Sequence, residues 1–157
     1  MTKKIFTLFA FLLLLSCSDS EPIAPSETVD YTAKNEQEIK DYLTKNNITT
    51  AQRTDSGLYY TISEPGTGTN PTVSSNVTVA YKGYLTNGQV FDQSTAAGVT
   101  FPLSNLIKGW QEGIPFFKPG GKGVLFIPAH LGYGGRPQGP IPAGSVIIFE
   151  IHLISVN

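Results

Sequence analysis

A hairpin signal in residues 77–94 constrains the fold more than any other feature of this chain. Val77, Val79 and Tyr81 alternate with residues of a second face, which is the period of a strand that buries one side. An Asn-Gly pair at 87–88 follows, and it predicts a two-residue type I′ turn because both residue types tolerate positive φ. The segment therefore predicts two antiparallel strands.

The predicted hairpin also brings three unusual side chains to one end. The returning strand over residues 89–92 places Phe91 and Asp92 beside Tyr81. A phenol, a phenyl ring and a carboxylate then converge where a plain sheet would place apolar residues. Two interpretations stay open on these residues alone: a functional site, or a hairpin in which Asp92 is only a capping residue.

The flanking segments predict elements of both kinds. Apolar residues recur with period two from residue 56 and again over residues 145–156, where they alternate with Glu150 and His152. Ser104 can cap a short helix between these strands. The prediction is an α+β fold, in which a largely antiparallel sheet packs on one short helix around a single core.

A short amphipathic helix is predicted before the sheet, over residues 35–48. Asn35 can cap it with Glu38 three residues further on, and Ile39 and Leu43 fall on one face. We expect this apolar stripe to pack back on the domain; a dimerisation stalk is the alternative.

The N-terminus has the layout of a bacterial lipoprotein. An apolar run over residues 5–15 is too short to span a bilayer, and it ends in Leu-Leu-Ser-Cys17. This ending resembles the lipobox, where signal peptidase II cleaves before a cysteine that becomes acylated. An ordinary signal peptide with an incidental cysteine is the alternative. The predicted segments are a signal peptide at 1–16, a flexible tether at 17–34 that begins at lipidated Cys17, the helix at 35–48 and a domain at 54–157.

A lipid anchor implies a position on the cell envelope, on the outer membrane, with the domain in the periplasm or exposed at the surface. The acidic sequence SDSE after Cys17 is similar to the export signal of surface lipoproteins in Bacteroidota. The alternative is that these residues are only part of a solvated tether and carry no export signal.

Composition and motifs argue against several functions. The net charge is −1 and the Lys and Arg residues are scattered, so the basic patch typical of nucleic-acid binding is missing. The chain has no phosphate-binding loop, no HExxH and no Cys/His cluster with zinc spacing. We therefore expect no nucleic-acid partner, no cofactor and no metal.

Aromatic side chains remain as the candidate site, and the motifs that carry them resemble one family. The motifs SGLYYTI, PGTG, VTVAYKGYL, NGQVFDQS, LIKGWQEG, KPGGKGVLFIPAHLGYG and IPAGSVIIFEIHLISV follow one another in the order found in FKBP-type peptidyl-prolyl cis/trans isomerases. This resemblance covers residues 54–156. It implies a curled antiparallel sheet of five to six strands packed on one short α-helix, with an apolar pocket between them.

The resemblance also implies roles for individual residues. Trp110 would form the pocket floor, Tyr133 would donate a hydrogen bond to a bound carbonyl, and Asp92 would be the pocket carboxylate. The backbone of Leu106 and Ile107 would meet the ligand. The implied walls are Tyr81, Phe91, Ile107, Ile141 and Phe149.

Val99 departs from the family pattern. It stands where many members have a second aromatic wall residue, so we expect macrolide inhibitors of the tacrolimus type to bind more weakly than to a typical member. The expected partners are otherwise proline-containing, unfolded or partly folded protein chains. The predicted function is isomerisation of X-Pro bonds outside the cytoplasm. The alternatives are a proline-binding module or chaperone with vestigial activity, and a role in a gliding-motility type of membrane complex.

The lipobox resemblance generates the first testable prediction. Replacing Cys17 with Ala should abolish acylation and leave unprocessed precursor, because the cysteine is both the cleavage mark and the acceptor of the lipid. Metabolic labelling with a fatty acid and membrane fractionation measure this. Normal labelling of the Cys17→Ala variant would contradict the anchor.

Overall fold

A computed structural model describes residues 29–157, in which one antiparallel sheet and two α-helices are found. The predicted signal peptide, Cys17 and most of the predicted tether lie outside the described residues. The helices are α1 Thr32–Lys45 and α2 Lys108–Gly113. The strands are β1 Gln52–Arg53, β2 Tyr59–Glu64, β3 Asn76–Leu85, β4 Val90–Gln93, β5 Val99–Pro102, β6 Lys122–Ile127 and β7 Ile147–Val156.

The sheet confirms the predicted α+β class. Its strand order is β1-β2-β6-β7-β3-β4, with β5 also paired to β3. Each pairing is antiparallel. The sheet has seven strands where five to six were predicted. The difference comes from elements such as β1, which is two residues long and too short to give an alternating pattern.

One face of the sheet packs on α2 and forms the main core. Alternate residues of β7, which include Phe149 and Leu153, point to this face, as the period of two predicted. Trp110 and Ile114 join the cluster from the α2 segment. This core contains the walls and floor of the cavity described below.

The opposite face carries a second core, so the prediction of a single core was wrong. Ile39 and Leu43 of α1 pack there with Phe126 and Ile148, which β6 and β7 turn to this side. Burying a side chain of this size contributes about 1.5–3 kcal/mol, so the two α1 residues hold the helix more strongly than a surface ion pair of about 1 kcal/mol or less. The stripe of α1 thus packs back on the domain, and the stalk alternative does not fit.

The start of α1 differs from the prediction. The helix begins at Thr32, whose backbone N–H donates a hydrogen bond to Asp30 Oδ1 at 2.8 Å. Asn35 is therefore inside the helix and not its cap, because its buried side chain bonds to distant backbone groups instead. The predicted tether to residue 34 is correspondingly too long. Neither helix within residues 29–157 combines the length and the apolar character needed to cross a bilayer.

Helix α2 lies unusually close to β6, and two glycines permit this. A Cβ added to Gly109 would lie 2.5 Å from Ile127 Cγ2, and one added to Gly113 would lie 2.7 Å from Leu125 Cδ2. The helix is also shorter than predicted: Ser104 belongs to a separate 3₁₀ turn, and α2 begins after it. Packing against the sheet therefore positions this short helix.

The hairpin turn was predicted with the wrong type. Gly88 has a φ of +88°, but Asn47 is the only non-glycine residue of 29–157 with positive φ, so Asn87 does not adopt the type I′ conformation. Gly88 N–H bonds to Leu85 O at 2.8 Å, and Leu85 N–H bonds to Gln89 O at 2.9 Å. These bonds define a three-residue loop with glycine as the bulge residue.

A carboxylate of α1 connects the helix to the first two strands. Glu36 accepts hydrogen bonds from Tyr59 Oη at 2.6 Å and from Arg53 Nε at 3.2 Å, and Lys40 Nζ lies 3.0 Å away. Burial alone would raise the pKa of Glu36, but these bonds outweigh it and lower the pKa to about 2. The ionised form therefore stabilises the docked helix.

This network predicts how stability depends on pH. Because the folded pKa of Glu36 lies below the ordinary value of 4.5, its contribution is present above pH 4.5 and is lost as the pH falls toward 2. Glu36→Gln should lower the free energy of unfolding near neutral pH by about 1–3 kcal/mol, allowing for a side chain that is a quarter exposed. This difference should shrink as the pH falls from 5 to 2.5.

Urea unfolding followed by circular dichroism at several pH values measures this difference. Glu64→Gln is the matched control, since Glu64 pairs with Lys122 at a more exposed position and should cost about 1 kcal/mol or less. An equal pH dependence of the two variants would contradict the role of the Glu36 network.

Candidate active site

A small cavity of about 150 Å³ lies over Trp110 of α2. Two wider and shallower grooves lie elsewhere, one across the outer face of the sheet and one beside α1. The smaller cavity is the candidate site because its lining is mostly aromatic or aliphatic, with polar groups at few positions. The lining residues are Tyr81, Asp92, Phe101, Leu106, Ile107, Trp110, Tyr133 and Phe149.

Three rings meet the indole of Trp110 at nearly right angles. The ring centroids of Phe149 and Tyr81 lie 5.2 Å and 5.3 Å from it, with interplanar angles of 88° and 84°. Phe101 lies at 6.3 Å and 90°. Edge-to-face packing of this kind is the favoured geometry for aromatic pairs. It fixes the floor of the cavity, and Trp110 is only 4% exposed.

The predicted convergence of Tyr81 with Asp92 is present. The register of β3 with β4 pairs Gly83 with Asp92, and Tyr81 Oη donates a hydrogen bond to Asp92 Oδ2 at 2.8 Å. Burial raises the pKa of Tyr81, and the bond to Asp92 adds to this, to about 12. The phenol is therefore protonated at neutral pH and stays a donor to the carboxylate.

Tyr133 lies at the rim of the cavity and is 38% exposed. It follows the 3₁₀ turn Ala129–Leu131, in a loop that returns to the sheet at β7. Burial raises the pKa of Tyr133, as does the negative charge of Asp92. At neutral pH this phenol also keeps its proton and can donate a hydrogen bond.

Backbone groups beside the cavity are held by Gln111. Its Nε2 donates to Leu106 O at 2.7 Å and to Ser104 O at 3.1 Å. The Leu106 N–H bonds to Leu103 O at 3.2 Å, whereas the N–H of Ile107 has no acceptor among the residues the structure describes. The segment is thus fixed in shape and has one donor free.

Seven of the ten pocket residues predicted from the sequence line the cavity, and three do not. Phe91 lies behind Phe149, with ring centroids 5.5 Å apart, and Ile141 is buried in the core. Val99 is 41% exposed and lies outside the lining, so it is not a wall of this small cavity. The physical reason is its position at the start of β5, directly after an exposed turn, and its contact with a ligand larger than the cavity stays a prediction.

Phe101 was missed as a site residue. The signal was available, because a residue two positions after Val99 faces the same side of a strand. Phe101 pairs with Val77 of β3 and turns its ring toward Trp110 and Tyr81. Within residues 29–157, no three His, Cys, Asp or Glu side chains lie close enough together to hold a metal ion.

Comparisons with known proteins agree with this geometry. The family model described as "FKBP-type peptidyl-prolyl cis-trans isomerase" matches residues 68–154, which is more than half of the chain. The chain therefore belongs to the FKBP-type peptidyl-prolyl cis-trans isomerase family.

Individual relatives extend this match to the N-terminal side. The chain is 37% identical over 127 residues to the FKBP-type isomerase FkpA of Aeromonas hydrophila, covering 79% of this chain and 47% of that protein. It is 46% identical over 105 residues to the outer membrane protein MIP of Legionella longbeachae, covering 65% and 45%. This chain thus spans about half the length of these relatives.

A solved structure of similar size shares the fold. The crystal structure of a peptidyl-prolyl cis-trans isomerase from Pseudomonas syringae pv. tomato superposes with a TM-score of 0.70 at 31% identity. The match covers 82% of this chain and 97% of that one. The fold, including its antiparallel sheet and short helix, is that of the family.

Proposed function

We propose that this chain is a peptidyl-prolyl cis/trans isomerase that acts on X-Pro bonds of protein chains. The observation that carries the proposal is the floor of Trp110, closed on its edges by three rings in a cavity of about 150 Å³. An apolar slot of this size fits one proline ring better than it fits an extended side chain or a cofactor. Membership of the family supports the same reaction.

The reaction requires no nucleophile. Rotation about an X-Pro bond breaks amide resonance at a barrier of about 18–20 kcal/mol and takes tens to hundreds of seconds without catalysis. Water stabilises the planar, charge-separated amide more than the twisted one. A pocket that removes water therefore favours the twisted state, and each 1.4 kcal/mol of this difference accelerates rotation about tenfold.

Few polar groups are needed, and their positions suit distinct tasks. Tyr133 and the free N–H of Ile107 can hold the substrate carbonyls on either side of the proline. Asp92 is occupied by the Tyr81 phenol, so it fixes the wall and acts as an acceptor. Amide rotation transfers no proton, so this carboxylate does not act as a general base.

We further propose that the protein works on the cell envelope, anchored through Cys17. The support is the lipobox-like sequence and the name of the Legionella relative, an outer membrane protein. The substrates would then be protein chains folding outside the cytoplasm. Protease treatment of intact cells decides whether the domain is exposed at the surface or lies in the periplasm, because only a surface-exposed domain would be digested.

Phe101 provides the sharpest test of the isomerase proposal. Trp110→Ala and Phe101→Ala should each lower kcat/KM about tenfold or more, because each opens the cavity to water. Phe116→Ala is the matched control: this ring stacks on Tyr60 at 4.3 Å and does not line the cavity. We expect its effect to stay within about threefold.

NMR exchange on an X-Pro peptide measures the rates, and thermal unfolding verifies that each variant is folded. If wild-type protein binds the peptide without accelerating its isomerisation, the chain is a proline-binding module instead. Full activity of a folded Trp110→Ala variant would contradict the site.

Macrolide inhibitors test the rim of the cavity. We expect a tacrolimus-type macrolide to bind more weakly than to a member with an aromatic residue in place of Val99. Since Val99 faces the same side of β5 as Phe101, Val99→Phe would add a ring next to Phe101 that a large ligand could bury, and affinity should then rise about fivefold at roughly 25 cal/mol for each Å² buried. Peptide turnover should stay within about twofold, because Val99 lies outside the lining. Calorimetry that finds no gain in affinity would contradict this role.

A further inference from the structure

A buried amide joins the N-terminal helix to the loop that carries Tyr133. Asn35 of α1 has no exposed surface, and it is the one polar side chain that residues 29–157 bury in this way. Its Nδ2 donates to Gly144 O at 2.9 Å, and its Oδ1 accepts from Ala129 N at 2.8 Å. These two partners lie at opposite ends of the loop 129–144, so one side chain holds both ends together.

Backbone bonds complete the base of this loop. Gly144 N–H bonds to Gly134 O at 2.9 Å, and Gly134 N–H bonds to Ala129 O at 2.7 Å. Tyr133 is therefore directly next to the bonded base. Beyond it, residues 135–140 are exposed to solvent, and this part of the loop is held through Ile141, which is buried in the core and exchanges two backbone hydrogen bonds with Gln138.

The ring of Tyr31 packs on the same base. Gly144 has a φ of +70°, and a Cβ at this position would overlap the ring of Tyr31. Tyr31, which directly precedes α1, and Asn35, the first buried residue of α1, therefore both contact Gly144. The contact was not indicated by the sequence, because the partners are more than 90 positions apart.

Asn35 is not required for helix packing alone. The helix already buries Ile39 and Leu43, and an unpaired buried amide costs free energy that an apolar side chain does not. An asparagine is favourable here only because both halves of its amide find partners on the loop. The side chain therefore specifies the position of the loop.

We infer that Asn35 is a positioning residue for the active site, through which the N-terminal helix holds Tyr133 in place to bind substrate. The inference rests on the proposed isomerase function. A loop that is released from its base spends only part of its time in the binding-competent arrangement. The apparent affinity for substrate falls by that fraction, while turnover from the bound complex changes little.

Asn35→Ala in the full chain tests this, with kcat and KM measured separately by NMR exchange on an X-Pro peptide. We expect KM to rise about threefold or more and kcat to change by less than about twofold. Hydrogen exchange should accelerate at Ala129 and Gly134 while the β3 amides stay protected. Asn35→Asp keeps the shape and the acceptor for the Ala129 N–H but sets a carboxylate oxygen against Gly144 O in a fully buried site, so it should be at least as disruptive as Asn35→Ala.

Two controls separate positioning from general loss of stability. Asn46→Ala removes an exposed asparagine at the opposite, C-terminal end of α1, whose Nδ2 bonds to Tyr42 O. Ile39→Val weakens the docking of α1 without touching the loop. Neither should change KM beyond about 1.5-fold, and neither should accelerate exchange in the loop selectively.

An unchanged KM for Asn35→Ala, or an equal rise for Ile39→Val, would overturn the inference. Failure of the proposed function gives a different result, since the wild-type chain would then not accelerate isomerisation at all. Peptide affinity and hydrogen exchange of the loop would still decide the role of Asn35 in that case: weaker binding with faster loop exchange supports it, and no change in either overturns it.

Discussion

The antiparallel pairing of β3 with β7 is the interaction on which the rest of the structure depends. Its register runs from Val77 opposite Val156 to Leu85 opposite Ile147. One face of this pair supplies Tyr81 and Phe149 to the cavity, with ring centroids 6.0 Å apart, and the other supplies Ile148 to the core under α1. Because a shift by one residue would exchange the two faces, the same register fixes the pocket and the seat of the N-terminal helix.

The division of the cavity into an apolar floor and a polar rim has a simple physical basis. The floor comes from regular elements, where edge-to-face packing around Trp110 leaves little freedom. The rim comes from backbone and from Tyr133, on a loop of which residues 135–140 are exposed to solvent. The rim is therefore held at few points: Ile141 of the loop is buried in the core, and Asn35 of α1 bonds to both ends of the loop.

Much of the fold and the site was predictable from the sequence because the strands are regular and the family motifs are long. Alternation in β7 indicated which residues face the main core, and the motifs located Trp110, Tyr133 and Asp92. Periodicity could not reveal the second core, since the apolar residues of β6 serve both faces of the sheet. The local capping pattern also led to the assignment of Asn35 as a helix cap. Such a pattern cannot be distinguished, from the sequence, from a residue whose hydrogen-bond partners are distant in the chain.

The near contact between α2 and β6 has a consequence for how pockets in such chains diversify. With only glycine between helix and strand, the side chains of Ile127 and Leu125 act as spacers that set the distance of Trp110 from the sheet. A change of size at either spacer would be expected to shift the helix and so to alter the depth of the cavity, although neither residue lines it. Two chains with identical cavity linings can therefore differ in ligand preference. The difference would lie in the β6 residues that face the far side of α2, which no ligand contacts.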